Sequence, residues 1–474
     1  MNCPFGFDQQ NAPDSDERFD PPYPAPLKKK SAGLRRLLKG WHSWIQMQYE
    51  RSYRMKLGHV HMLGQHIYIP NELSLVRRVM VDEYEQFPKH EQLHRILEPL
   101  LGDSVFSTNG EVWKKQRRMM DAVFAITKLR HAFPLMQGAV DDLVQRLDQL
   151  PPGKDIVIDH EMTHVTADVI FRAILSQPLQ ADHAQTIYEA FIRYQDKAHK
   201  VMMLENFHLP RWWHWRDCKR SARTIRQLLA DLIGERYRAF QASGEDTHHD
   251  MLSALMQAQD PESGERFDYT GLVDQISIMF LAGHETSASA LTWSLYLLAK
   301  CPQLQQRMLD EYQEVIGERE PDFRDLHRLS TTLNLFNEAL RLYPPVGFFM
   351  RVASHDTCMR DKQIKAGSTV MVSPWLLHRH RELWQQPDTF DPDRFARKDD
   401  PEAIRNAFMP FGAGPRICIG KAFAIQEAVL VLATLVRRYH IEPGSGPEPM
   451  PAGRVTIRPE HGVSLRLRRR AAEH

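Results

Sequence analysis

Three features that define large classes of proteins are missing from this sequence. The five cysteines are odd in number, scattered and without a C-x-x-C pair, which excludes a disulfide framework and a cysteine-based zinc site. Lysine and arginine total 61 against 60 acidic residues, so no excess positive charge favours nucleic acid. No stretch approaches the roughly 20 apolar residues of a membrane span, and the polar start is unlike a signal peptide. We therefore expect a soluble, cytoplasmic protein.

What is present indicates one large, mainly helical domain. The chain has 474 residues, 42% of them hydrophobic, which is enough for a large core. Residues 1 to 26 are rich in proline and charge and predict a flexible N-terminal arm, followed by a single domain over residues 27 to 474. Residues 28 to 45 are basic and then amphipathic, which favours a helix docked on the core and leaves membrane contact open. Alternating patterns near residue 60 and after Pro344 add a small β-rich portion.

The most specific pattern is a glycine-rich loop that leads into an apolar, helix-forming run. It reads FGAGPRICIG over residues 411 to 420. Free N–H groups and the helix dipole favour a thiolate at Cys418, and a thiolate binds metals where a thiol does not. A lone cysteine is more often a buried structural residue. Here Phe411, Gly414, Arg416 and Gly420 stand at fixed spacings around it, which argues against that reading.

This loop resembles the haem-binding loop of the cytochromes P-450, F-x-x-G-x-R-x-C-x-G, with every fixed position matched. The resemblance implies the cytochrome P-450 fold and haem b (iron protoporphyrin IX) as cofactor, with the Cys418 thiolate on the iron. It also implies haem contacts from Phe411 and Gly420, and from Arg416 to an anionic propionate. It extends over residues 34 to 470 and is loose between residues 120 and 265.

A second match lies upstream, within a long predicted helix over residues 268 to 299. Its segment Ala282-Gly283-His284-Glu285-Thr286 resembles the oxygen-activating segment of the family's central helix. The resemblance implies that Ala282 and Gly283 clear space for O₂, while Glu285 and Thr286 relay protons through water. Alone the segment is a weak signal, because serine and threonine often bond back to their own helix.

Three more matches follow the family's order along the chain. The pair Glu338 and Arg341 is expected to join Arg394, from the segment Pro392-Asp393-Arg394-Phe395, in a buried network that holds the haem pocket. Without the resemblance, such a pair would be read as a surface ion pair. Trp113 and Arg117 resemble the family's W-x-x-x-R element, which reaches a haem propionate together with an arginine matched here by Arg351. For each of these three, an ordinary surface or packing residue is the alternative.

A competing metal signal is the segment His160-Glu161-Met162-Thr163-His164, which fits H-E-x-x-H. On a helix the two imidazoles would share a face and bind zinc, with Glu161 as general base of a hydrolase. The chain holds 23 histidines, so a chance match is not rare. No pattern in the sequence marks a third zinc ligand. We keep zinc hydrolysis as the alternative function.

The resemblance implies a monooxygenase that inserts one atom of O₂ into a lipophilic molecule, by C–H hydroxylation or epoxidation. The stretch after Cys418 is too short for a fused reductase, so we expect electrons from a separate ferredoxin and ferredoxin reductase. We expect the ferredoxin to dock at four cations near the cysteine side, and the enzyme to be a monomer. These cations are Lys114, Lys115, Arg118 and Lys421.

The substrate pocket is expected to be apolar, which favours a terpenoid, fatty acid or alkane. Its predicted lining comes from the central helix and from the residues after the Pro344-Pro345 turn. It comprises Met279, Phe280, Ala282, Gly283, Val346, Phe348 and Phe349. A haem sensor without catalysis remains a further alternative, which lack of substrate-dependent cofactor oxidation would reveal.

Overall fold

The computed structural model describes residues 17–28 and 40–470, except residues 63, 152, 208, 249 and 398–400. Most of this chain is helical. The α-helices are α1 (Leu73–Arg77), α2 (Glu91–Leu101), α3 (Gly110–Val123), α4 (Ile126–Asp148), α5 (Ile158–Leu175), α6 (Ala181–Asn206), α7 (Trp212–Ser243), α8 (Met251–Gln257), α9 (Tyr269–Ala299), α10 (Pro302–Val315), α11 (Ser330–Leu342), α12 (Pro374–Leu377), α13 (Pro401–Ala407) and α14 (Lys421–Arg438). Single helical turns occur at Trp44–Met47, Glu50–Tyr53, Arg78–Asp82, Leu326–Arg328 and Gly414–Arg416.

The strands form small sheets beside the helices. They are β1 (Leu57–Met62), β2 (Gln65–Pro70), β3 (Asp155–Val157), β4 (Phe349–Val352), β5 (Thr357–Met359), β6 (Lys362–Ile364), β7 (Thr369–Val372), β8 (Tyr439–Pro443), β9 (Pro451–Gly453), β10 (Ile457–Pro459) and β11 (Ser464–Arg469). The largest sheet has the order β1-β2-β7-β4, with β2 and β7 parallel and the other pairs antiparallel. The others are β3-β11-β8, β9-β10 and β5-β6. A mainly helical fold with a small β portion agrees with the prediction.

Helix α9 runs through the middle of the helical part. Asp268 caps it by accepting a hydrogen bond from the Gly271 N–H at 2.7 Å. Nearly all its residues from Leu272 onward are buried, because the helix is apolar on all sides and packs against α5, α11 and α14. The contact with α14 places the middle of α9 opposite the helix that follows Cys418.

The N-terminal segment differs from the expected flexible arm where it is described. Glu17 is 2% exposed and forms an ion pair with Arg307 at 2.6 Å. Phe19 pairs with Phe390 through a β-bridge, and the Tyr343 hydroxyl donates to the Pro22 carbonyl at 2.8 Å. Residues 17 to 26 are therefore packed on the helical body, which corrects the expectation for that part. Residues 1 to 16 lie outside the described residues.

The helix expected over residues 28 to 45 falls mainly on residues 29–39, which also lie outside the described residues. Beyond that gap, Trp44 and Ile45 are buried in the main hydrophobic core. Among the described helices, none is both long enough and apolar enough to cross a bilayer.

Candidate active site

The loop over residues 411 to 420 turns sharply so that Cys418 precedes α14. Gly412 and Gly414 take φ values of +76° and +69°, which favour glycine. A Cβ at Gly414 would also strike the Met80 carbonyl, so no larger residue fits there. The Cys418 N–H donates to the Phe411 carbonyl at 2.8 Å and closes the loop. These constraints hold the cysteine in one fixed position.

The Cys418 side chain is exposed, whereas Cys218 and Cys301 are buried as structural cysteines usually are. Protein around the thiol still separates it from bulk water, and this burial raises its pKa. The Gly420 N–H and the charges of Arg117 and Lys421 act in the opposite direction without overcoming it. The helix end alone therefore does not make the thiolate that the sequence led us to expect. A bound metal cation would deprotonate it outright.

Buried and half-buried cations gather beside this loop. Arg416 donates to the Thr108 carbonyl at 2.9 Å and to Asn109 Oδ1 at 3.0 Å, and its guanidinium lies 4.0 Å from the Trp113 ring. Arg351 is 5% exposed and donates only to a backbone carbonyl, that of Met350. Burial lowers the pKa of Arg416 to about 9 and that of Arg351 to about 10.

Two further cations complete the group. Arg117 donates to the Ile417 carbonyl at 2.7 Å and pairs with Asp121 at 2.9 Å. The Lys89 ammonium donates to the Phe106 carbonyl, and burial followed by the charges of Arg416 and Arg351 lowers its pKa well below the usual value. Lys89 was missed by the sequence reasoning, since it belongs to no recognisable pattern.

Lys89, Arg351 and Arg416 form what we call the unpaired cluster. Among the described residues, no carboxylate lies within 4.0 Å of any of these three cations, so none of them forms an ion pair there. Buried charges without a counter-charge are costly. An anionic group would remove that cost, so these side chains and the exposed Cys418 thiol fit a haem with two propionates.

The segment from Ala282 to Thr286 lies in the middle of α9, as predicted from the sequence. The Thr286 hydroxyl donates to the Ala282 carbonyl at 2.7 Å, and Ala282 is exposed. Gly283 does something different from what we expected. A Cβ there would lie 2.9 Å from Ile170 Cγ1, so the glycine makes room for α5 and not for O₂.

Glu285 is 3% exposed and lies in a closed polar network. It accepts hydrogen bonds from Gln195 Nε2 at 2.6 Å, Thr456 Oγ1 at 2.7 Å and Arg458 at 2.6 Å. Burial raises its pKa, but Arg458 and the other donors outweigh that effect and lower it overall. The carboxylate is ionised. Its three partners come from α6 and the β10 region, where the sequence showed no motif.

The predicted pocket lining divides into two groups. Met279 and Phe280 are 5% and 1% exposed and belong to the hydrophobic core, where the Phe280 ring meets Phe171 of α5. Their place in the pocket stays a prediction. Val346, Phe348 and Phe349 keep part of their surface. Phe349 Cζ lies 3.5 Å from where a Gly412 Cβ would stand, so this side chain is next to the cysteine loop.

Glu338, Arg341 and Arg394 form what we call the paired cluster. Arg341 and Glu338 are completely buried and joined by two hydrogen bonds of 2.7 and 2.8 Å. Arg394 reaches the same carboxylate at 3.1 Å. The other guanidinium N–H groups donate to loop carbonyls of residues 378 to 389. Every charge here has a partner within the protein, which suits a structural role.

His378 connects the paired cluster to the cysteine loop. Its carbonyl accepts from Arg341 at 2.9 Å, and its Nε2 accepts from the Met409 N–H at 3.0 Å. Burial lowers the pKa of His378 to about 3, so the imidazole is a neutral acceptor. No sequence pattern indicates this contact, because its two ends are 31 residues apart.

The competing zinc motif does not assemble a site. Glu161 pairs with Arg146 at 3.3 Å, and burial lowers the pKa of His164. Across the described residues, no group of three or more histidine, cysteine or acidic side chains could hold a metal ion. The hydrolase alternative has no support.

Three of the four cations predicted to dock a redox partner carry local counter-charges. Lys114 pairs with Glu85 and Glu111, and Lys115 with Glu265. Arg118 pairs with Asp260 at 2.7 Å and Glu262 at 3.0 Å. Lys421 instead lies 5.9 Å from the Phe411 ring and forms no ion pair with a described residue.

Comparison with known proteins gives one consistent result. The family model for cytochrome P-450 matches residues 21–466. Cyclooctat-9-en-7-ol 5-monooxygenase of Streptomyces melanosporofaciens is 32% identical, over 80% of this chain and 81% of the relative. Cyclooctatin synthase of the same organism is 30% identical, over 84% of each chain. Pentalenene oxygenase of Streptomyces avermitilis is 30% identical, over 85% of this chain and 87% of the relative.

Proposed function

The chain belongs to the cytochrome P-450 family, and we propose that Cys418 is its haem ligand and that its substrate is a terpenoid. As a member it is a haem-thiolate monooxygenase with haem b as cofactor. When bound, haem b supplies the reductive activation of O₂ and the insertion of one oxygen atom into the substrate. The observation that carries the proposal is the exposed, rigidly held Cys418 beside three cations, one buried and two half-buried, that lack a carboxylate among the described residues.

In this assignment the residues around the haem have separate tasks. Cys418 supplies the thiolate, and the loop hydrogen bond to Phe411 fixes its position. Lys89, Arg351 and Arg416 would bind the propionates. The Trp113 ring contacts the Arg416 guanidinium and holds it in place. Arg117 ties α3 to the loop through the Ile417 carbonyl. Gly420 offers its N–H to the sulfur. All of them lie in one domain, over residues 27 to 474.

Thr286 and Glu285 are proposed to hold and move protons beside the place where haem would activate O₂. The Thr286 hydroxyl donates a hydrogen bond to the Ala282 carbonyl. Its oxygen can therefore still accept a hydrogen bond from a donor such as water. Glu285 is held by Arg458, Thr456 and Gln195, and must turn away from them to exchange protons with that water. Both residues hold or move protons without touching the substrate.

Replacing Thr286 tests this role. We expect Thr286→Ala to lower product formed per O₂ consumed by about 100-fold, the usual scale of a positioned proton donor. Thr286→Ser keeps the hydroxyl and should retain most of the yield. The measurement compares O₂ uptake with product at saturating substrate. Equal coupling in the alanine variant and the wild type would contradict the assignment.

The terpenoid proposal rests on relatives and on the lining. Those named above include bacterial terpene monooxygenases, and the partly exposed Val346, Phe348 and Phe349 are apolar. We propose hydroxylation or epoxidation of a cyclic terpene. Spin-shift titration with cyclic terpenes and with fatty acids of equal carbon number tests it, since only the preferred class should change the haem absorption spectrum at micromolar concentration. A shift with fatty acids alone would reject it.

We further propose a cytoplasmic monomer that receives electrons from a ferredoxin and its ferredoxin reductase. An acidic ferredoxin would dock over Lys421, with Lys114, Lys115 and Arg118 as a weaker rim because carboxylates already neutralise them. Lys421→Glu should slow reduction more than Lys115→Glu, and neither should change substrate affinity. The exposed Arg77→Glu is the matched control. Equal reduction rates in all variants would exclude this docking face.

A further inference from the structure

Three histidines and a tyrosine lie side by side on the hairpin formed by β1 and β2. Side chains two positions apart on a strand share a face of the sheet, so His59 and His61 of β1 point the same way. The register places His59 opposite Tyr68 and His61 opposite His66, which brings all four rings to that face. The three histidines are exposed and Tyr68 is buried. The hairpin therefore presents three imidazoles to solvent within one small area.

The four rings form a stack in the order His61, His66, His59, Tyr68. The ring centroids of His59 and His66 are 5.2 Å apart, with an angle of 6° between the ring planes. His61 stacks on His66 at 4.4 Å, and Tyr68 stacks on His59 at 4.6 Å. Tyr68 is itself anchored, since its hydroxyl donates to the Gln363 carbonyl at 3.0 Å. His59 and His66 are therefore an inner pair that is held between two other rings.

The inner pair also brings two ring nitrogens together. His59 Nε2 and His66 Nδ1 are 3.0 Å apart, so one of them donates a hydrogen bond to the other. Two nitrogens bonded to one metal ion at right angles lie about 2.9 Å apart, because metal–imidazole bonds are about 2.0–2.1 Å long. The two nitrogens thus already have the separation of two ligands on a single ion.

Both rings can offer a lone pair to such an ion without losing a proton. A neutral imidazole carries its proton on either nitrogen. When each ring of the inner pair keeps its proton on its other nitrogen, His59 Nε2 and His66 Nδ1 are both acceptors, and the metal ion takes the place of the shared proton. None of the three histidines of the stack forms an ion pair with a described residue, so no carboxylate partner there has to be displaced.

We propose that His59 and His66 bind one divalent transition-metal ion, Cu²⁺ most tightly, with water in its remaining positions. We call this the His59 site. Imidazole suits Cu²⁺, which binds a given nitrogen site more tightly than the other divalent ions of its row and prefers a tetragonal arrangement with ligands at right angles. The site needs two protein ligands only, which agrees with the lack, among the described residues, of any group of three side chains that could hold a metal ion.

The other interpretation is that the rings only cover one face of the sheet. Pairs of rings across two strands stabilise a hairpin without binding a ligand. Phenylalanine or tyrosine would serve that purpose equally well, and packing alone does not require two nitrogens to face each other. The direct contact between His59 Nε2 and His66 Nδ1 is the observation that favours a ligand.

The His59 site belongs to the same sheet as Arg351. Across the order β1-β2-β7-β4, His59 pairs with Tyr68, Tyr68 with Val370, and Val370 with Arg351. A metal ion on His59 and His66 would join β1 to β2 and so fix the outer edge of this sheet. Metal binding itself does not depend on the proposed function.

The test is calorimetric titration of the purified holoenzyme with Cu²⁺ in a buffer that contains glycine, which competes with single histidines for the ion. We expect one saturable Cu²⁺ site per chain, with nitrogen coupling in the electron paramagnetic resonance spectrum of the bound copper. His59→Phe and His66→Phe keep a ring that can stack and remove the ligand. Each should weaken binding at least about 10-fold, since loss of a ligand costs no less than loss of the groups that orient it.

Two controls locate the ion. His61→Phe changes an outer ring of the stack, and His131→Phe with His461→Phe changes two exposed histidines elsewhere; both should keep the wild-type affinity. Unchanged binding in His59→Phe, an equal loss in His61→Phe, or no saturable site in the wild type would overturn the proposal. An unchanged reduced-CO spectrum in every variant shows that the haem site is intact, so failure of this proposal is distinguishable from failure of the proposed function.

Discussion

Two groups of cations in this protein, one buried and one buried or half-buried, have similar chemistry and opposite electrostatics. In the paired cluster, Arg341 and Arg394 share the Glu338 carboxylate, and the remaining N–H groups donate to carbonyls. In the unpaired cluster, Lys89, Arg351 and Arg416 have carbonyl and amide acceptors without a carboxylate among the described residues. The first group is complete within the fold. The second is complete only when an anion is present, so charge balance separates a structural network from a ligand site.

The largest expected effect comes from breaking the paired cluster. Glu338→Gln leaves two buried guanidinium groups without a counter-charge, which should destabilise the fold by about 4 kcal/mol. Glu111→Gln is the control, since it removes a carboxylate that is 80% exposed from an ion pair with Lys114 and should cost less than about 1 kcal/mol. Urea unfolding of both variants measures the difference. Similar losses of unfolding free energy in the two variants would contradict the distinction between buried and surface ion pairs.

A change in the unpaired cluster should act on haem binding and spare the fold. Arg351→Met removes a buried charge that no described carboxylate neutralises, so urea unfolding of the haem-free protein should begin no earlier than in the wild type. Haem transfer from the holoenzyme to excess apomyoglobin should become about 10-fold to 100-fold faster, since a charge-assisted contact to a propionate is lost. Arg341→Met should show the reverse pattern. If Arg351→Met unfolds as early as Arg341→Met, the comparison fails.

The effect that is smallest at neutral pH concerns His378, which joins the paired cluster to the cysteine loop. Its folded pKa of about 3 lies below the ordinary value of 6.5. The unfolded chain therefore takes up the proton first as the pH falls. The stability that the neutral imidazole contributes is complete above pH 6.5 and is lost between pH 6.5 and pH 3, at about 1.4 kcal/mol per pH unit.

His378→Gln isolates this contribution, because the amide oxygen can accept from the Met409 N–H but does not titrate in this range. We expect the free energy of unfolding to fall less steeply with decreasing pH than in the wild type, as measured by urea unfolding between pH 6.5 and pH 4. His461→Gln, at an exposed position, should keep the wild-type slope. The same slope in His378→Gln as in the wild type would show that another group controls the loss of stability at acid pH.

The sequence predicted the residues that belong to local motifs far better than their partners. The fold class, the family and the cofactor are confirmed, and the loop around Cys418 and the segment around Thr286 have the forms expected from contiguous patterns. Lys89, His378 and Arg458 were missed because each reaches its partner from a distant part of the chain. The periodicity of α9 did not separate core from pocket, since the helix is buried on nearly all sides.

Two errors have the same physical origin. Gly283 was assigned to oxygen, but the space it leaves is filled by Ile170 of a helix more than a hundred residues earlier in the chain. The N-terminal arm was expected to be flexible from its composition, but Glu17 and Phe19 find specific partners on the helical body. Composition and motifs describe what a segment prefers alone, and packing against distant segments decides the outcome.

The most direct test of the account is the reduced-CO spectrum of Cys418→Ser beside that of the wild type. We predict that the wild type shows the Soret band that gives the family its name. The variant should lose that band and still hold haem, because the unpaired cluster continues to bind the propionates. Survival of the band in Cys418→Ser would contradict the assignment of Cys418 as the thiolate ligand.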